Sequence, residues 1–143
     1  MPPSWVAEYI GIPFVSGGRD HTGCDCYGLV RLVLMERFGY TLPLLDAGYT
    51  DARRLAETAP LFDAQLPLLA GEQIDRPEPG SVAVLLYQGR TSHVGVFVDD
   101  EYILHTLAIV GVHCVRLNHG TLRGAIEGIY RVSQNYRCTP SFP

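Results

Sequence analysis

Apolar residues between positions 25 and 38 recur at helical spacing. They follow one another at intervals of one, three and four residues: Leu29, Val30, Val33, Leu34 and Phe38. This spacing places them on one face of an α-helix, and Gly39 is a natural C-terminal stop. The pattern predicts a helix over about residues 25–38. Shorter helices are predicted over residues 5–10 and, after a Thr50-Asp51 cap, up to about Thr58.

The second half of the chain has a different pattern, made of short segments rich in β-branched and aromatic residues. Turn signals separate these segments, which predicts strands. The predicted strands cover residues 81–87, 93–98, 102–106, 111–117 and 128–132. The stretch before them, residues 60–80, is predicted to be irregular because four positions within it carry proline: Pro60, Pro67, Pro77 and Pro79.

Helices followed by a run of strands predict an α+β fold, with N-terminal helices packed on an antiparallel sheet of five to six strands. No internal repeat is visible, and residues 1–132 are predicted to form a single domain. Residues 133–143 are predicted to be a C-terminal tail that is extended or loosely held.

The composition is that of a globular protein and argues against two kinds of partner. Of the 143 residues, 47% are hydrophobic and 18% are charged, which excludes a disordered chain. The formal net charge is -4 and the 11 basic residues are scattered arginines, so we expect no nucleic-acid partner. No apolar run is long enough for a membrane span, and residues 1–5 lack the blocks of a signal peptide. We therefore expect neither feature.

A cysteine stands at the start of the predicted central helix. Cys26 follows a glycine-rich loop over residues 16–23, and Gly28-Leu29-Val30 continue the helix behind it. The N–H groups and the dipole at a helix N-terminus lower the pKa of a cysteine, particularly beside a histidine. Cys26 is therefore the candidate nucleophile of a cysteine hydrolase, with nearby backbone N–H groups as the oxyanion hole. The alternative is that Cys26 is a small core residue.

Two histidines lie on the predicted strands that follow. His93 and His105 flank the turn at Asp99-Asp100 and are separated by an even number of residues. A turn of odd length centred on Asp99 would pair them on one face of the sheet, and we predict such a turn. His93 is then the general base and acid, and His105 orients its ring. Activity is expected to fall below neutrality as His93 becomes protonated.

Other assignments of these residues remain open. Cys24 is a competing nucleophile, although it lies in the loop, where the helix dipole supports a thiolate less. Cys24, Cys26, His93 and His105 also form a candidate metal set. The Cys-x-Cys spacing, however, lacks the gap of common zinc knuckles, and no second cysteine pair follows. We expect no metal and no cofactor.

The remaining histidines and cysteines are given lesser roles. His21 precedes the candidate nucleophile and is a candidate for lining the cleft, whereas His113 and His119 are expected to be surface or packing residues. The cysteines are expected to be free thiols, with a bridge between Cys114 and Cys138 left open.

Several motifs along the chain together resemble the NlpC/p60 family of cell-wall hydrolases. These motifs are Gly18-Arg19-Asp20, Asp25-Cys26-x-Gly28-Leu29-Val30, Phe38-Gly39-x-x-Leu42-Pro43, Pro79-Gly80, His93-Val94-Gly95 and the final His105. The resemblance covers about residues 5–132. It implies a papain-like α+β fold with a triad of Cys26, His93 and His105. It also implies cleavage of the γ-D-glutamyl–diaminopimelate bond in peptidoglycan stem peptides.

A narrower resemblance concerns the peptidases of phage tails and gene transfer agents. The Gly-Gly-Arg-Asp segment at residues 17–20, the helix over residues 25–31 and the compact length are similar to theirs. This resemblance implies a place in the virion tail, with other tail-tip proteins as partners. The virion would then deliver the enzyme to the cell wall, where it degrades peptidoglycan locally during DNA delivery.

Substrate contacts are expected around the nucleophile. Stem peptides carry carboxylates, so their cleft needs positive or N–H-rich walls, and Arg19 is the best-placed cation. Asp25 either pairs with Arg19 or holds the amino group of the substrate, whereas the alternative is that Arg19 and Asp20 brace the loop. Two departures from the family pattern affect the pocket: Tyr27 replaces a common serine, and Phe14 replaces a tyrosine whose hydroxyl helps to bind substrate.

Three functions follow from these observations. The first is a cysteine endopeptidase that acts on peptidoglycan. The second is a structural tail-tip or assembly protein that uses the fold as a docking module with little or no hydrolase activity. For this function the apolar segments at residues 44–45 and 66–69 would be contact surface. The third is a lipid or acyl transferase, which would need a wide apolar groove.

Overall fold

The computed structural model describes residues 1–43, 70–87, 90–118 and 122–137. The helix predicted after Thr50 lies outside these ranges, as do the two apolar segments at 44–45 and 66–69. Among the helices within them, none is long and apolar enough to cross a membrane.

The predicted central helix is confirmed. Helix α1 runs over Cys26–Val33 and continues as a π-helical turn over Leu34–Phe38. Asp25 caps its start by accepting a hydrogen bond of 2.8 Å from the backbone N–H of Gly28. Gly39 ends the helix at φ 77°, a left-handed conformation that glycine adopts without strain. Nearly all residues of α1 are buried, which makes it the central element of the fold.

The segment before α1 is more ordered than the sequence predicts. A 3-10 helix covers Ser4–Glu8, close to the predicted helix. A small hairpin of β1 (Arg19–Asp20) and β2 (Gly23–Cys24) lies where a loop was expected. At Gly28 a side-chain Cβ would lie 2.0 Å from the carbonyl oxygen of Gly18. The hairpin and the first turn of α1 therefore pack backbone against backbone.

Six further strands form one antiparallel sheet. Their bounds are β3 (Ala70–Ile74), β4 (Val82–Tyr87), β5 (Arg90–Phe97), β6 (Tyr102–Leu107), β7 (Gly111–Arg116) and β8 (Ile126–Val132). The spatial order is β3-β8-β4-β5-β6-β7. The predicted strands correspond to β4 through β8, and the α+β class with an antiparallel sheet is confirmed.

Two elements carry no clear signal in the sequence. The prediction of irregular structure over residues 60–80 is wrong for residues 70–74, which form the edge strand β3. Glycine, glutamate and glutamine are poor strand formers, and β3 forms because it pairs with β8, with a bulge between Ala70 and Glu72. A one-turn helix, α2 (Leu122–Ala125), precedes β8.

The predicted tail is packed as far as it is described. A 3-10 helix covers Gln134–Tyr136, and the carbonyl of Tyr136 accepts a hydrogen bond of 2.8 Å from the N–H of Thr41. The guanidinium of Arg137 lies 5.6 Å from the ring centre of Tyr40. The expectation of a loosely held tail is therefore wrong for residues 134–137, because these contacts fix it beside the end of α1.

Two apolar cores lie on the two faces of the sheet. The larger joins the buried face of α1 to β5, β6 and β7 through Val94, Val96, Leu104 and Val112. The smaller consists of Ala83, Leu85, Phe97 and Ile103. Because side chains alternate across a strand, neighbouring positions such as 96 and 97 enter different cores. The start of α1 is thereby held against the middle strands of the sheet.

Candidate active site

The thiol of Cys26 lies at the junction of α1 with the sheet. Cys26 is the first residue of α1 and is 6% exposed. The backbone N–H groups of Val94 and Tyr27 both donate hydrogen bonds to its sulfur. Since Val94 directly follows His93 on β5, the structure places the sulfur against the strand that carries the predicted base.

The pairing of β5 with β6 explains why the N–H of Val94 can reach a sulfur. Among the described residues, the ladder between these strands consists of Val96 with Leu104 and Phe97 with Ile103. It stops before Val94, whose N–H is therefore left for a group from α1. The N-terminus of α1 thus contacts the sheet where the hydrogen-bonded ladder between β5 and β6 ends.

His93 and His105 are in contact, as predicted. The Nε2 atom of His93 lies 3.3 Å from the Nδ1 atom of His105. The ring centroids are 5.6 Å apart and the ring planes are inclined at 76°. His105 is 7% exposed, so this polar contact is shielded from water.

The turn that brings them together differs from the predicted one. It has an odd length, but it is centred on Asp100 rather than Asp99, because Phe97 pairs with Ile103 and the N–H of Val98 bonds the carbonyl of Tyr102. The two histidines are therefore diagonal neighbours on one side of the sheet and not direct cross-strand partners. Diagonal positions are still within reach of side chains as long as imidazole.

All three groups of the predicted triad are neutral at neutral pH. Burial, with the charge of Asp25 second, raises the pKa of the Cys26 thiol to about 12, although the N–H of Val94 acts in the opposite direction. Burial, with His113 second, lowers the pKa of His93 to about 4. The same two causes, followed by His93, lower the pKa of His105 to about 3. The expectation of a lowered cysteine pKa is wrong here, because burial outweighs the helix N-terminus.

The contact between the histidines involves one ring nitrogen of His93 and leaves the other outside it. With Nε2 of His93 directed at His105, Nδ1 is the remaining nitrogen, and it is a proton acceptor when Nε2 carries the hydrogen. In that state the Nε2–H of His93 donates to Nδ1 of His105. A neutral His105 then carries its own hydrogen on Nε2, an atom that is buried and has no hydrogen-bond partner within the described part of the chain.

Arg19 and Asp25 form a buried ion pair beneath the hairpin. Arg19 Nη1 donates to Asp25 Oδ1 at 2.8 Å, and the two side chains are 10% and 1% exposed. The other oxygen of Asp25 accepts a hydrogen bond of 2.9 Å from the N–H of Gly17. These contacts favour the pairing of Asp25 with Arg19 and a bracing role in the loop. Binding of substrate by either residue stays a prediction.

Tyr27 contacts Arg19 of this pair, whereas Phe14 lies beside strand β2. The hydroxyl of Tyr27 donates a hydrogen bond of 2.6 Å to the carbonyl of Pro43, and its ring centre lies 5.3 Å from the guanidinium carbon of Arg19. Phe14 is half-buried and its backbone bridges to Cys24. Their contribution to a substrate pocket stays a prediction.

His21 lies at the far end of the central helix. Its Nε2 is 2.8 Å from Oε1 of Glu36, which also accepts a hydrogen bond of 2.6 Å from the hydroxyl of Tyr9. Glu36 is ten positions beyond Cys26 on the helical segment, about 15 Å along its axis. The expectation that His21 lines a cleft beside Cys26 is therefore wrong.

His113 belongs to the histidine group, which the sequence did not predict. It is the direct cross-strand partner of His105 between β6 and β7, and the two ring centroids are 4.1 Å apart. The register reveals this pairing, because a hairpin tip centred on residue 109 places position 105 opposite position 113. Within the described ranges, no group of three or more His, Cys, Asp or Glu side chains is arranged to hold a metal.

The other cysteines do not join the histidines. Cys24 is fully buried in β2, and burial raises the pKa of its thiol to about 12. Cys24, Cys26 and Cys114 are free thiols, and Cys138 lies outside the described residues.

Comparison with known proteins now identifies the family. The pattern of the NlpC/P60 family matches residues 11–131. The chain belongs to the NlpC/P60 family. Protein P54 of Enterococcus faecium is 31% identical over 87 residues, which cover 51% of this chain and 17% of that protein. The chain thus spans less than a fifth of the length of this relative.

Solved structures of NlpC/P60 proteins share the fold. The NlpC/p60 domain of the peptidoglycan hydrolase SagA is 24% identical, with a TM-score of 0.56 over 87% of this chain and 93% of that one. A lipoprotein-like NLP/P60 protein from Staphylococcus aureus is 21% identical, with a TM-score of 0.58 over 89% and 38% of the two chains. A Bacillus cereus NlpC/P60 protein is 18% identical, with a TM-score of 0.61 over 93% and 41%. These identities establish the fold alone.

Proposed function

We propose that this NlpC/P60 chain is a cysteine endopeptidase that hydrolyses peptidoglycan stem peptides. The observation that carries the proposal is the contact of His93 with His105 beside the strand position that holds the sulfur of Cys26. A base with a fixed orientation next to a thiol at a helix start is the arrangement that thiol peptidases need.

The chemistry proceeds from neutral groups. Nδ1 of His93 removes the thiol proton while the sulfur of Cys26 attacks the carbonyl carbon of the scissile amide. Backbone N–H groups at the head of α1 stabilise the oxyanion of the tetrahedral intermediate. The imidazolium of His93 gives its proton to the leaving amine, and a thioester on Cys26 remains. Water, deprotonated by His93, then hydrolyses the thioester and restores the thiol.

The pKa values explain which group gives up a proton and which group accepts it. Burial raises the pKa of the Cys26 thiol to about 12, so the thiol form predominates before reaction and His93 takes the proton as the sulfur attacks. His93 is neutral above about pH 4 and is therefore in the basic form over the physiological range. His105 accepts the Nε2–H of His93 and holds the ring in the orientation that this transfer requires.

The substrate we propose is the γ-D-glutamyl–diaminopimelate bond, and the place of action is the virion tail of a phage. The family membership and the fold shared with SagA, a peptidoglycan hydrolase, support peptidoglycan as the substrate. The tail location, with other tail-tip proteins as partners, is supported by the similarity of residues 17–31 to tail peptidases. In the tail, the enzyme would open the cell wall locally during DNA delivery.

A second candidate function is favoured by the burial of the thiol. Cys26 is 6% exposed and belongs to the larger apolar core, so a substrate carbonyl reaches its sulfur only if neighbouring groups move. If these neighbouring groups do not move, the thiol stays inaccessible and the chain has little or no hydrolase activity. The function would then be that of a structural tail-tip protein that uses the fold as a docking module.

Digestion of purified peptidoglycan distinguishes the two functions. Native protein, Cys26→Ala and Cys24→Ala are each incubated with sacculi, and mass spectrometry identifies the released muropeptides. Cys114→Ala serves as the matched control, because it removes another free thiol from a different element. The proposal predicts that native protein, Cys24→Ala and Cys114→Ala each release muropeptides with new diaminopimelate amino ends. Folded Cys26→Ala should release none.

Three other results contradict the proposal or its assignment of the nucleophile. Equal cleavage by Cys26→Ala excludes Cys26 as the nucleophile, and loss in Cys24→Ala alone transfers the role to Cys24. A native protein that is folded, binds peptidoglycan or other tail proteins and cleaves nothing supports the docking module. Mass spectrometry of purified virions tests the location, and absence of the chain from infectious particles contradicts a tail component.

A further inference from the structure

We propose that His113 is a positioning residue for the His93–His105 pair, because its ring packs against the ring of His105 and opposes positive charge there. Nothing in the sequence assigns His113 such a role. The inference deepens the proposed peptidase function and rests on it only for its catalytic consequence.

The geometry comes from the register of β6 and β7. His105 and His113 are direct cross-strand partners, with ring centroids 4.1 Å apart and ring planes inclined at 54°. His93 contacts the opposite side of the group, 5.6 Å from His105 between centroids. The three imidazoles therefore form a row across β5, β6 and β7, with His105 in the middle.

Hydrogen bonding fixes the outer ring of this row. Nδ1 of His113 lies 3.1 Å from the carbonyl oxygen of Gly111. A carbonyl only accepts, so Nδ1 of His113 carries the hydrogen and donates it. His113 is half-buried and is thereby held in place against His105, whose own Nε2 is buried without a partner among the described residues. Ring contact, and not a hydrogen bond, is what locates this side of His105.

The electrostatic part follows from the same contacts. Each of the strands β5, β6 and β7 contributes one histidine to this row, and Cys26 at the head of α1 lies against β5 at Val94. Asp25 acts on the pKa of Cys26, whereas His113 is the largest charge effect on the pKa of both His93 and His105. A positive His113 disfavours a second positive charge on its neighbours.

This repulsion has a use in the reaction. His93 must be neutral to accept the thiol proton and must then release that proton to the leaving amine. A neighbour that destabilises the imidazolium keeps the base available at lower pH and makes the acid stronger. His105 stays a neutral acceptor for the same reason, so His113 acts on the reaction through His105 and touches no reacting atom.

Histidine titration by NMR tests the inference without any substrate. Imidazole resonances of labelled native protein, His113→Phe and His113→Gln are followed from pH 8 to pH 3, with His21→Phe as the matched control. Phenylalanine keeps the ring contact and removes the charge, whereas glutamine removes both. The inference predicts that the pKa values of His93 and His105 rise by about half a pH unit or more in both His113 variants. The His21→Phe variant is expected to leave the pKa values of both His93 and His105 unchanged.

The native protein provides a test that does not depend on the folding of a variant. If the rings are arranged as described, ring protons of His113 and His105 show a nuclear Overhauser effect in the native protein. Absence of that effect, or unchanged titration of His93 in folded His113 variants, overturns the inference. In an active enzyme, the acid limb of kcat/KM for His113→Phe moves up by the shift measured for His93. If the native protein hydrolyses no peptidoglycan, the proposed function fails, and the titration still decides the role of His113.

Discussion

Nε2 of His93 and Nδ1 of His105 lie 3.3 Å apart although the two residues are not paired in the ladder between their strands. The turn between the strands is centred on Asp100, so the histidines sit one register step apart on the same side of the sheet. The next hairpin, between β6 and β7, is centred on residue 109 and places His105 directly opposite His113. The registers of two successive turns thus bring three histidines into one row.

The pH dependence of activity should follow the lowered pKa of His93. Because burial lowers this pKa to about 4, the base stays neutral down to about pH 5. We expect kcat/KM to be level between about pH 7 and pH 5 and to fall tenfold per pH unit below about pH 4. Hydrolysis of a soluble stem peptide, measured in buffers of constant ionic strength, checks this. An acid limb near pH 6.5 contradicts the buried, neutral His93.

Stability should fall in acid for the same reason. The unfolded chain protonates histidine near pH 6.5, whereas the folded protein does so only near pH 4 at His93 and pH 3 at His105. Between these values the unfolded state binds more protons, so the free energy of unfolding decreases as the pH falls. The loss is on the order of 3 kcal/mol per ring.

Urea unfolding at pH 7, 5 and 4 measures this loss, with the double variant His93→Gln and His105→Gln as the control. The control should lose clearly less stability over the same range. Equal losses in both proteins would assign the acid sensitivity to other groups.

Asp25 should be important for stability because it performs two tasks. It caps α1 through Gly28 and neutralises the buried guanidinium of Arg19. Asp25→Ala removes both the cap and the carboxylate that pairs with Arg19, and we expect a loss of about 3 kcal/mol in the free energy of unfolding. Asp25→Asn can keep the cap and should lose less. Asp20→Ala removes an exposed carboxylate of the same hairpin that accepts hydrogen bonds from Thr22, and it should lose clearly less than Asp25→Ala. A similar loss in that control would show that the buried pair is not the cause.

Gly28 should tolerate no side chain. In an ordinary helix Gly→Ala stabilises, but here the new Cβ would lie 2.0 Å from the carbonyl oxygen of Gly18. We expect Gly28→Ala to be strongly destabilised or not to fold. Gly124→Ala, in α2, meets no atom within 4 Å and should gain up to about 1 kcal/mol. Thermal unfolding of the two variants checks this, and a native-like melting temperature for Gly28→Ala would show that the hairpin can move away from α1.

Much of the fold was predictable because its signals are local. Five apolar residues at helical spacing, an Asp cap and Gly39 specify α1, and alternating β-branched segments specify β4 through β8. Strand β3 was missed because its pairing with β8, and not its own composition, makes it a strand. The same holds for the β1–β2 hairpin, which packs against Gly28.

The residues of the candidate site could be predicted from the sequence, but their pKa values could not. Cys26 was recognisable at a helix start, and His93 and His105 by their even spacing. The centre of the turn depends on Asp99, whose side chain accepts hydrogen bonds from the N–H groups of Glu101 and Tyr102 at 2.8 and 2.7 Å. The raised pKa of Cys26 depends on burial by residues distant in sequence, which no local pattern reports.

Trapping the acyl-enzyme tests the central claim most directly. Protein quenched in acid during stem-peptide turnover is measured by intact mass and by peptide mapping, alongside Cys26→Ala. The account predicts a thioester with the mass of the acyl half of the substrate, located on Cys26 and missing from the variant. Turnover without any adduct on Cys26, or an adduct on Cys24 instead, would contradict it.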